Sequence, residues 1–203
     1  MTVLPCLREA ESPRRHLHTS RLMMNASAPA LAEAVIDYQR RNAGHFAPWD
    51  PVRPAGYWEL EPTRARLAEE EVAFSAGTAW HYWIQPVDQP VDQPGRIVGH
   101  CALSSVARGV FQNAMLGYGL DHALVGGGWM QEAIRCLLDE VFGPVVSLHR
   151  VQASVRPENE RSRRVLERLG FRREGFSPCY LYIAGAWRDH ETFALLNPFW
   201  DRH

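Results

Sequence analysis

The chain has 203 residues, 46% hydrophobic and 22% charged, which is enough to bury one substantial core. Its 22 Lys and Arg residues nearly balance its 23 Asp and Glu residues, so the formal net charge is −1. A chain with this charge has no global basic field to attract nucleic acid or an anionic membrane. No segment approaches the ~20 apolar residues of a membrane helix. We therefore expect a single domain with no membrane partner and no direct nucleic-acid binding.

The four cysteines, at positions 6, 101, 136 and 179, form no C-x-x-C pair and no His spacing typical of a zinc site. We expect free thiols, as in the reducing cytoplasm, and no metal. Residues 1–15 mix Arg with Glu and lack the apolar stretch of a signal peptide. We expect them to form a flexible N-terminal arm before one domain over residues 16–203.

The periodicity of the apolar residues predicts seven strands and four helices in this domain. The predicted strands cover residues 16–24, 80–87, 96–103, 114–120, 150–155, 171–183 and 192–196. The predicted helices cover residues 29–41, 63–76 and 159–169, with a further helix that begins at Trp129. The run Glu69, Glu70 and Glu71 is typical of a solvated helix face.

Two connecting segments have a distinctive composition. Residues 44–51 combine two prolines with aromatic and imidazole side chains, which is typical of a recognition loop, and we place Trp49 at an acceptor cleft there. The tetrapeptide Val-Asp-Gln-Pro occurs at 87–90 and again at 91–94. Because proline at every fourth position keeps this link out of a sheet, we expect residues 87–95 to form a mobile hairpin loop.

Gly126, Gly127 and Gly128 stand directly before the helix that begins at Trp129. Glycines let the backbone N–H groups turn outward, and the helix adds the positive end of its dipole at the same point. The apolar positions of this helix share one buried face: Met130, Ala133, Ile134, Leu137, Leu138 and Val141. The pattern predicts an anchored phosphate-binding loop, although three glycines alone are equally typical of a simple turn.

One strand after this loop comes the motif Asn159-x-x-Ser162-x-x-Val-Leu-x-x-Leu-Gly-Phe171. Together the two motifs resemble the GCN5-related N-acetyltransferase (GNAT) superfamily. Within it, residues 45–51, 108–109 with 116–118, and 185–190 resemble the RimJ type of ribosomal-protein alanine N-acetyltransferase. The resemblance spans most of residues 17–197.

The resemblance implies the α+β (α/β) GNAT fold, which is a single mixed, mostly antiparallel twisted sheet flanked by helices. With the elements above, the sheet would have about seven strands and about four helices. A splay between the fourth and fifth strands would hold the donor.

The resemblance also implies that acetyl coenzyme A (acetyl-CoA) is this donor. Its pyrophosphate would lie on the loop amides, and its pantetheine arm would run between the strand ending near Leu120 and the strand beginning near Arg150. The implied cofactor-binding residues are Leu120, Val125, Gly126, Gly127, Gly128, Trp129, Met130, Asn159 and Ser162. Backbone amides beside Tyr118 would polarise the thioester, and Ser162 would protonate the leaving thiolate. From the residues alone Asn159 is also typical of a helix cap, and the two roles can coexist.

One position departs from the family pattern. The loop motif usually begins with Gln or Arg, and this chain has Ala123 there. A side-chain contact to the donor would then be missing while the backbone donors remain. We therefore expect binding to persist, weakened by about 1 kcal/mol if one hydrogen bond is absent.

The RimJ-type resemblance implies that the acceptor is the N-terminal α-amino group of a protein, beginning with Ala or Ser and plausibly ribosomal. Such an amine, with a pKa of ~7.7–8.0, needs less help from a base than a lysine at ~10.4. We assign Ser162, Tyr118 and Asp50 to catalysis, and His45, Trp49 and Tyr180 to acceptor binding. His45, Tyr180, Tyr182 and a water relay remain alternatives to Asp50 as the base.

Other functions stay open at this point. The chain could acetylate a small-molecule amine such as an antibiotic or a polyamine, or it could be a weakly catalytic CoA-binding protein that associates with a ribosomal particle. A nicotinamide-binding enzyme fits poorly, because position 131 is Gln where the third glycine of its motif should stand. Both a monomer and a homodimer are compatible with the sequence.

Overall fold

The computed structural model describes residues 11–88 and 95–200. This part of the chain forms one eight-stranded sheet with five α-helices. The strands are β1 (His16–His18), β2 (Leu22–Ala26), β3 (Trp80–Pro86), β4 (Gly99–Ala107), β5 (Asn113–Leu120), β6 (Arg150–Val155), β7 (Arg172–Ile183) and β8 (Ala186–Leu196). The helices are α1 (Ala32–Arg41), α2 (Ala43–Phe46), α3 (Leu60–Ser75), α4 (Trp129–Phe142) and α5 (Glu160–Arg168).

The strand order is β1-β2-β3-β4-β5-β6-β8-β7, and within it only β5 and β6 run parallel. The sheet is therefore mixed and mostly antiparallel, as predicted. Helices α4 and α5 cover one face, while α1 and α3 cover the other. Trp80 and Trp83 lie three residues apart on β3, so they point to opposite faces and both are buried. Truncating either ring to Ala would cost about 3–5 kcal/mol of unfolding free energy.

The element count exceeds the prediction by one strand and one helix. Residues 16–24 were predicted as one strand but form the hairpin of β1 and β2, because Thr19 Oγ1 accepts hydrogen bonds from the N–H groups of Leu22 (2.9 Å) and Arg21 (3.3 Å) and closes a turn. The additional helix, α2, lies partly inside the predicted loop 44–51. The face predicted to be buried on the helix from Trp129 is confirmed at all six positions.

The described end of the predicted N-terminal arm contacts the domain. Ser12 Oγ donates a hydrogen bond to the carbonyl of Phe74 at 2.9 Å, and Arg14 binds Glu140 of α4. Residues 1–10, and residues 89–94 of the predicted mobile loop, lie outside the described residues, so the flexibility of both segments stays a prediction. Among the described helices, none has the length and apolar character that crossing a membrane requires.

The feature of the sheet that positions the site is the divergence of β5 from β6. Their backbones pair only over Asn113–Met115 and Arg150–Gln152. Beyond this point β5 stays paired with β4, and β6 stays paired with β8. A gap therefore opens beside residues 116–120, and it is the predicted splay between the fourth and fifth predicted strands.

Candidate active site

The glycine loop opens an anion-binding surface at the end of β5. Gly126 and Gly128 have φ angles of 94° and 77°, in the left-handed region that residues with a Cβ rarely enter. Helix α4 begins directly after Gly128, and no described side chain caps its first N–H groups. Because residues 125–128 are exposed, these donors and the positive end of the helix dipole face solvent. This geometry fits a phosphate group.

A buried carboxylate anchors the start of the loop. Asp121, only 1% exposed, accepts hydrogen bonds from the N–H of Ala123 at 3.1 Å and from Arg41 at 3.0 Å. Burial raises the pKa of this carboxyl, but these hydrogen bonds outweigh burial and hold the net pKa below its ordinary value. The charged Asp121 thus fixes the short 3₁₀ turn His122–Leu124 that leads into the glycines.

The structure places the remaining predicted loop residues in different surroundings. Leu120 is partly buried at the end of β5. The side chain of Met130 is buried in the core, so only its backbone N–H can face a ligand. The indole of Trp129 lies against Gly127, where an added Cβ would come within 2.7 Å of two ring atoms. Gly127 is therefore required by close packing, whereas its neighbours are required by their backbone angles.

Two predicted catalytic residues contact each other at the gap. The hydroxyl oxygen of Tyr118, on β5, lies 2.7 Å from Ser162 Oγ, on α5. The Tyr118 hydroxyl also donates to the carbonyl of Ser162 at 3.0 Å. Burial raises the pKa of Tyr118, so the phenol keeps its proton. The gap thus carries a coupled pair of hydroxyl groups, which can donate protons.

Asn159 has the cap geometry that its residue type predicts. Its Oδ1 accepts a hydrogen bond from the N–H of Ser162 at 3.1 Å and so begins α5. The side-chain Nδ2 remains available as a donor toward a ligand in the gap. A helix cap and a ligand contact are therefore compatible at this residue.

A segment that we call the roof, residues 42–51, is bound to the ends of three elements that surround the gap. After β5, the N–H of His122 donates to Asn42 Oδ1 at 3.0 Å. After β6, Arg156 donates to the carbonyl of Pro48 at 2.6 Å, and its guanidinium lies 5.3 Å from the centre of the Trp49 ring. These contacts hold the roof across the diverging strands.

The third roof contact comes from the turn between β7 and β8. The N–H of Ala184 donates to the carbonyl of Asp50 at 3.1 Å. Burial raises the pKa of the Asp50 carboxyl, while nearby Arg53 opposes the shift. A carboxyl with a raised pKa near a cleft is a candidate general base.

His45 lies on the roof beside a second imidazole. Its ring centre is 6.3 Å from that of His122. Burial lowers the pKa of His45, nearby His122 and Arg161 lower it further, and Asp121 opposes the shift. A neutral imidazole at this position can accept a proton or a hydrogen bond.

Tyr180 is not brought together with the other predicted site residues. It is 42% exposed on β7, and its ring packs edge-on against His190 at 5.7 Å. The neighbouring Asp189 accepts a hydrogen bond from the N–H of Cys179, which braces an irregular part of the same hairpin. The prediction that Tyr180 binds the acceptor therefore rests on the resemblance alone.

Sequence reasoning missed a group of residues on the α1 side of the sheet. Gly117 and Gly119 face Ala102 and His100 of β4, and Gly117 has open space within 4 Å of where a Cβ would stand. The imidazole of His100 covers Gly119, where a Cβ would lie 2.7 Å from its Cε1. Gly117 thus leaves an opening beside the gap, whereas His100 fills the space at Gly119.

His100 is held neutral beside this opening. The hydroxyl of Tyr38, on α1, lies 3.4 Å from His100 Nδ1. Burial lowers the pKa of His100 to about 3, and nearby His81 contributes to the shift. Glycines at alternate positions of a strand, with a histidine on the preceding strand, were a signal that could have suggested this group.

The prediction that the three glutamates of α3 form a solvated face is wrong for Glu70. Glu70 accepts a hydrogen bond from Ser27 at 2.5 Å and lies 3.2 Å from His81 Nδ1. The same Ser27 hydroxyl accepts from the indole N–H of Trp83 at 2.9 Å. Because consecutive residues of a helix are rotated by ~100° about its axis, the three side chains of a charge run point in different directions, and one of them can face the protein.

Comparison with known proteins supports the resemblance to the GNAT superfamily that the two sequence motifs indicated. The sequence profile of the family described as acetyltransferase (GNAT) domain matches residues 21–172. The chain is 32% identical over 188 residues to the [ribosomal protein uS5]-alanine N-acetyltransferase of Escherichia coli, a match that covers 93% of this chain and 94% of the relative.

Solved structures show the same architecture. The ribosomal-protein-S5-alanine acetyltransferase of Vibrio fischeri superposes with a TM-score of 0.84 at 30% identity, covering 92% of this chain and 98% of that chain. The RimJ of Mycobacterium smegmatis, solved in complex with CoA-disulfide, superposes with a TM-score of 0.79 at 27% identity, covering 94% and 88%. The chain therefore belongs to the GNAT acetyltransferase family and is an N-acetyltransferase.

Proposed function

We propose that this protein transfers the acetyl group of acetyl-CoA to the N-terminal α-amino group of a protein that begins with Ala or Ser, such as a ribosomal protein. The observation that carries the proposal is the gap beside β5. The glycine loop and the Tyr118–Ser162 pair lie beside the gap on the face covered by α4 and α5. The opening at Gly117 lies beside it on the face covered by α1. Two substrates could thus meet in the sheet and react directly.

The loop residues fit the donor. Its pyrophosphate would accept hydrogen bonds from the N–H groups of residues 125–130, and Gly126 leaves open space where a Cβ would intrude. The Nδ2 of Asn159 would donate to the pantetheine arm. Acetyl-CoA supplies the thioester, and the protein supplies its orientation.

Backbone donors beside Tyr118 would stabilise the transition state. Alternate residues of 116–120 direct their N–H groups to the side on which β6 has diverged. Donors fixed in this way can hold the negative charge that develops on the thioester oxygen. One such donor is worth ~3 kcal/mol of the barrier.

The proton transfers follow from the side chains near the gap. The carboxylate of Asp50, directly or through a water, would take a proton from the neutral amine nitrogen as that nitrogen forms a bond to the acetyl carbon. The carbon–sulfur bond breaks as the tetrahedral adduct collapses, and the hydroxyl of Ser162 protonates the departing thiolate. Tyr118, 2.7 Å away, would pass a proton to Ser162 and regain one from water, and Asp50 would release the proton of the amine to water. The raised pKa of Asp50 supports its role, because a base works best near the operating pH.

The acceptor would enter beneath the roof, where His45 and Trp49 lie, with Tyr180 on the neighbouring hairpin. A protein N-terminus is supported by the similarity to ribosomal-protein alanine acetyltransferases of Escherichia coli and Vibrio fischeri. A cytoplasmic location would follow from such an acceptor.

A panel of acceptors tests the proposal. Purified protein with acetyl-CoA is offered Ala-peptides, Ser-peptides, the same peptides with a blocked N-terminus, and spermidine, while thiol release is followed. Turnover of the free-terminus peptides with none of the blocked peptides supports the proposal. Turnover of spermidine alone would assign a small-molecule amine instead. No thiol release with any acceptor, although CoA binds, would favour a binding protein.

A further inference from the structure

Glu132 stands in the first turn of α4, next to the glycine loop. A carboxylate at a helix N-terminus is favourable by itself, but it would repel a pyrophosphate bound at the same place. Thr19 donates to one carboxylate oxygen at 2.5 Å, and Arg21 Nε donates to the other at 2.7 Å. Both residues belong to the turn between β1 and β2, which therefore covers this charge.

Arg21 also binds the loop backbone. Its Nη1 donates to the carbonyl oxygen of Gly127 at 3.2 Å. In a trans peptide the C=O and the following N–H point in opposite directions. Holding the Gly127 carbonyl against Arg21 therefore directs the N–H of Gly128 away from Arg21.

The side chain after the loop is part of the same cluster. The guanidinium of Arg21 lies 4.5 Å from the centre of the Trp129 ring, at a distance typical of a cation–π contact. That indole in turn packs against Gly127. One arginine thus contacts the carbonyl, the aromatic ring and the carboxylate that surround the donor site.

We propose that Arg21 is a positioning residue for the donor, and that it orders the phosphate-binding loop of a chain in which Ala123 replaces the usual Gln or Arg. Arg21 fixes the Gly127–Gly128 peptide so that its N–H faces the pyrophosphate, and it neutralises Glu132 beside that site. The inference rests on the proposed use of acetyl-CoA.

The test compares Arg21→Ala with Arg14→Ala. Arg14 forms a similar pair with Glu140 at the other end of α4, so its variant controls for a lost arginine–glutamate pair between the N-terminal segment and this helix. Calorimetric titration measures the affinity of each variant for CoA and for pantetheine, which lacks the pyrophosphate. Thermal unfolding verifies that each titrated variant is folded.

We expect Arg21→Ala to weaken CoA binding by about tenfold or more, as when a hydrogen bond with a charged donor is lost, and to leave pantetheine binding unchanged. The KM for acetyl-CoA should rise while kcat changes little. Adding Glu132→Gln to Arg21→Ala should restore part of the CoA affinity, because the repelling charge is gone. Arg14→Ala should bind both ligands like the wild type.

Equal CoA affinity in Arg21→Ala and the wild type would overturn the inference, as would an equal loss for CoA and pantetheine. If the wild-type protein itself bound no CoA, the proposed function would fall, and the role of Arg21 with it.

Discussion

Tyr118 and Ser162 form a hydrogen-bonded pair between residues 44 positions apart, with 2.7 Å between their hydroxyl oxygens. The carbonyl of Ser162 can only accept, so Tyr118 donates to it at 3.0 Å and the Ser162 hydroxyl donates to Tyr118. In the proposed mechanism Ser162 gives up its proton, and the phenol can then turn toward Ser162 Oγ and replace it. Under this proposal the two hydroxyls act as one proton-donating unit.

Removal of either hydroxyl should expose this coupling. Ser162→Ala should lower kcat by about 10²–10⁴-fold, the usual contribution of a positioned acid, and Tyr118→Phe should also lower it. Because the residues act together, the double variant should lose little more than Ser162→Ala alone. Steady-state kinetics with saturating acetyl-CoA measures kcat for the wild type, the two single variants and the double variant. If the kcat of the double variant fell by the product of the two single-variant losses, the two hydroxyls would act independently.

An added methyl group should affect stability at Gly119 and acceptor binding at Gly117. Gly119→Ala would press a Cβ against the His100 ring, and an overpacked site typically costs about 1–3 kcal/mol of unfolding free energy. Gly117→Ala meets open space and should leave stability unchanged, yet it should raise the KM for the acceptor if the peptide crosses this opening. Denaturant unfolding and acceptor titration of both variants provide the two measurements. An unchanged acceptor KM in folded Gly117→Ala would place the acceptor elsewhere.

His100 should make the fold sensitive to acid. Its pKa is about 3 in the folded protein against an ordinary value of 6.5, so the unfolded chain binds a proton more readily between these values. The contribution of neutral His100 to stability is therefore fully present above pH 6.5 and is lost progressively as the pH falls toward 3. The groups facing it are Tyr38, His81 and Glu70.

The test measures the free energy of unfolding of the wild type and of His100→Gln, which keeps a polar side chain, at pH 7 and at pH 4.5. The decrease on acidification should be smaller in the variant, since the other titrating groups are present in both proteins. Identical decreases would mean that His100 is not held neutral by the fold.

The roof should contribute to acceptor binding through Arg156. Arg156→Ala removes the hydrogen bond to Pro48 and the contact with the Trp49 ring. The acceptor KM should rise roughly tenfold, since one hydrogen bond with a charged donor is lost, while CoA affinity stays unchanged. Arg164→Ala is the matched control, because among residues 11–88 and 95–200 Arg164 pairs only with the exposed Glu160 on its own helix. A rise in KM for the control as well would indicate a general effect of lost charge.

Local patterns predicted the parts of the site that are continuous in the chain. The strand, the glycines and the helix from Trp129 follow one another directly, so their periodicity and backbone requirements were readable from the sequence. The Asn159 cap was predictable for the same reason. The β1–β2 turn was missed because the Thr19 side chain closes it without Gly, Pro or Asn.

Contacts between distant segments could not be derived in this way. The sequence resemblance named both Tyr118 and Ser162, but nothing in the sequence gave their separation. The approach of Arg21 to Gly127, across 106 positions, depends on how the β1–β2 hairpin packs beside α4. The neutral state of His100 likewise depends on burial by α1, which only the assembled fold supplies.

The most direct test of the account uses one peptide with two amines: a free N-terminal Ala and an internal Lys. After incubation with the protein and acetyl-CoA, fragmentation by mass spectrometry locates the acetyl group. We expect acetyl on the N-terminal nitrogen, with the lysine unmodified and the product greatly reduced with Ser162→Ala. Acetyl on the lysine alone, or equal product from the wild type and Ser162→Ala, would contradict it.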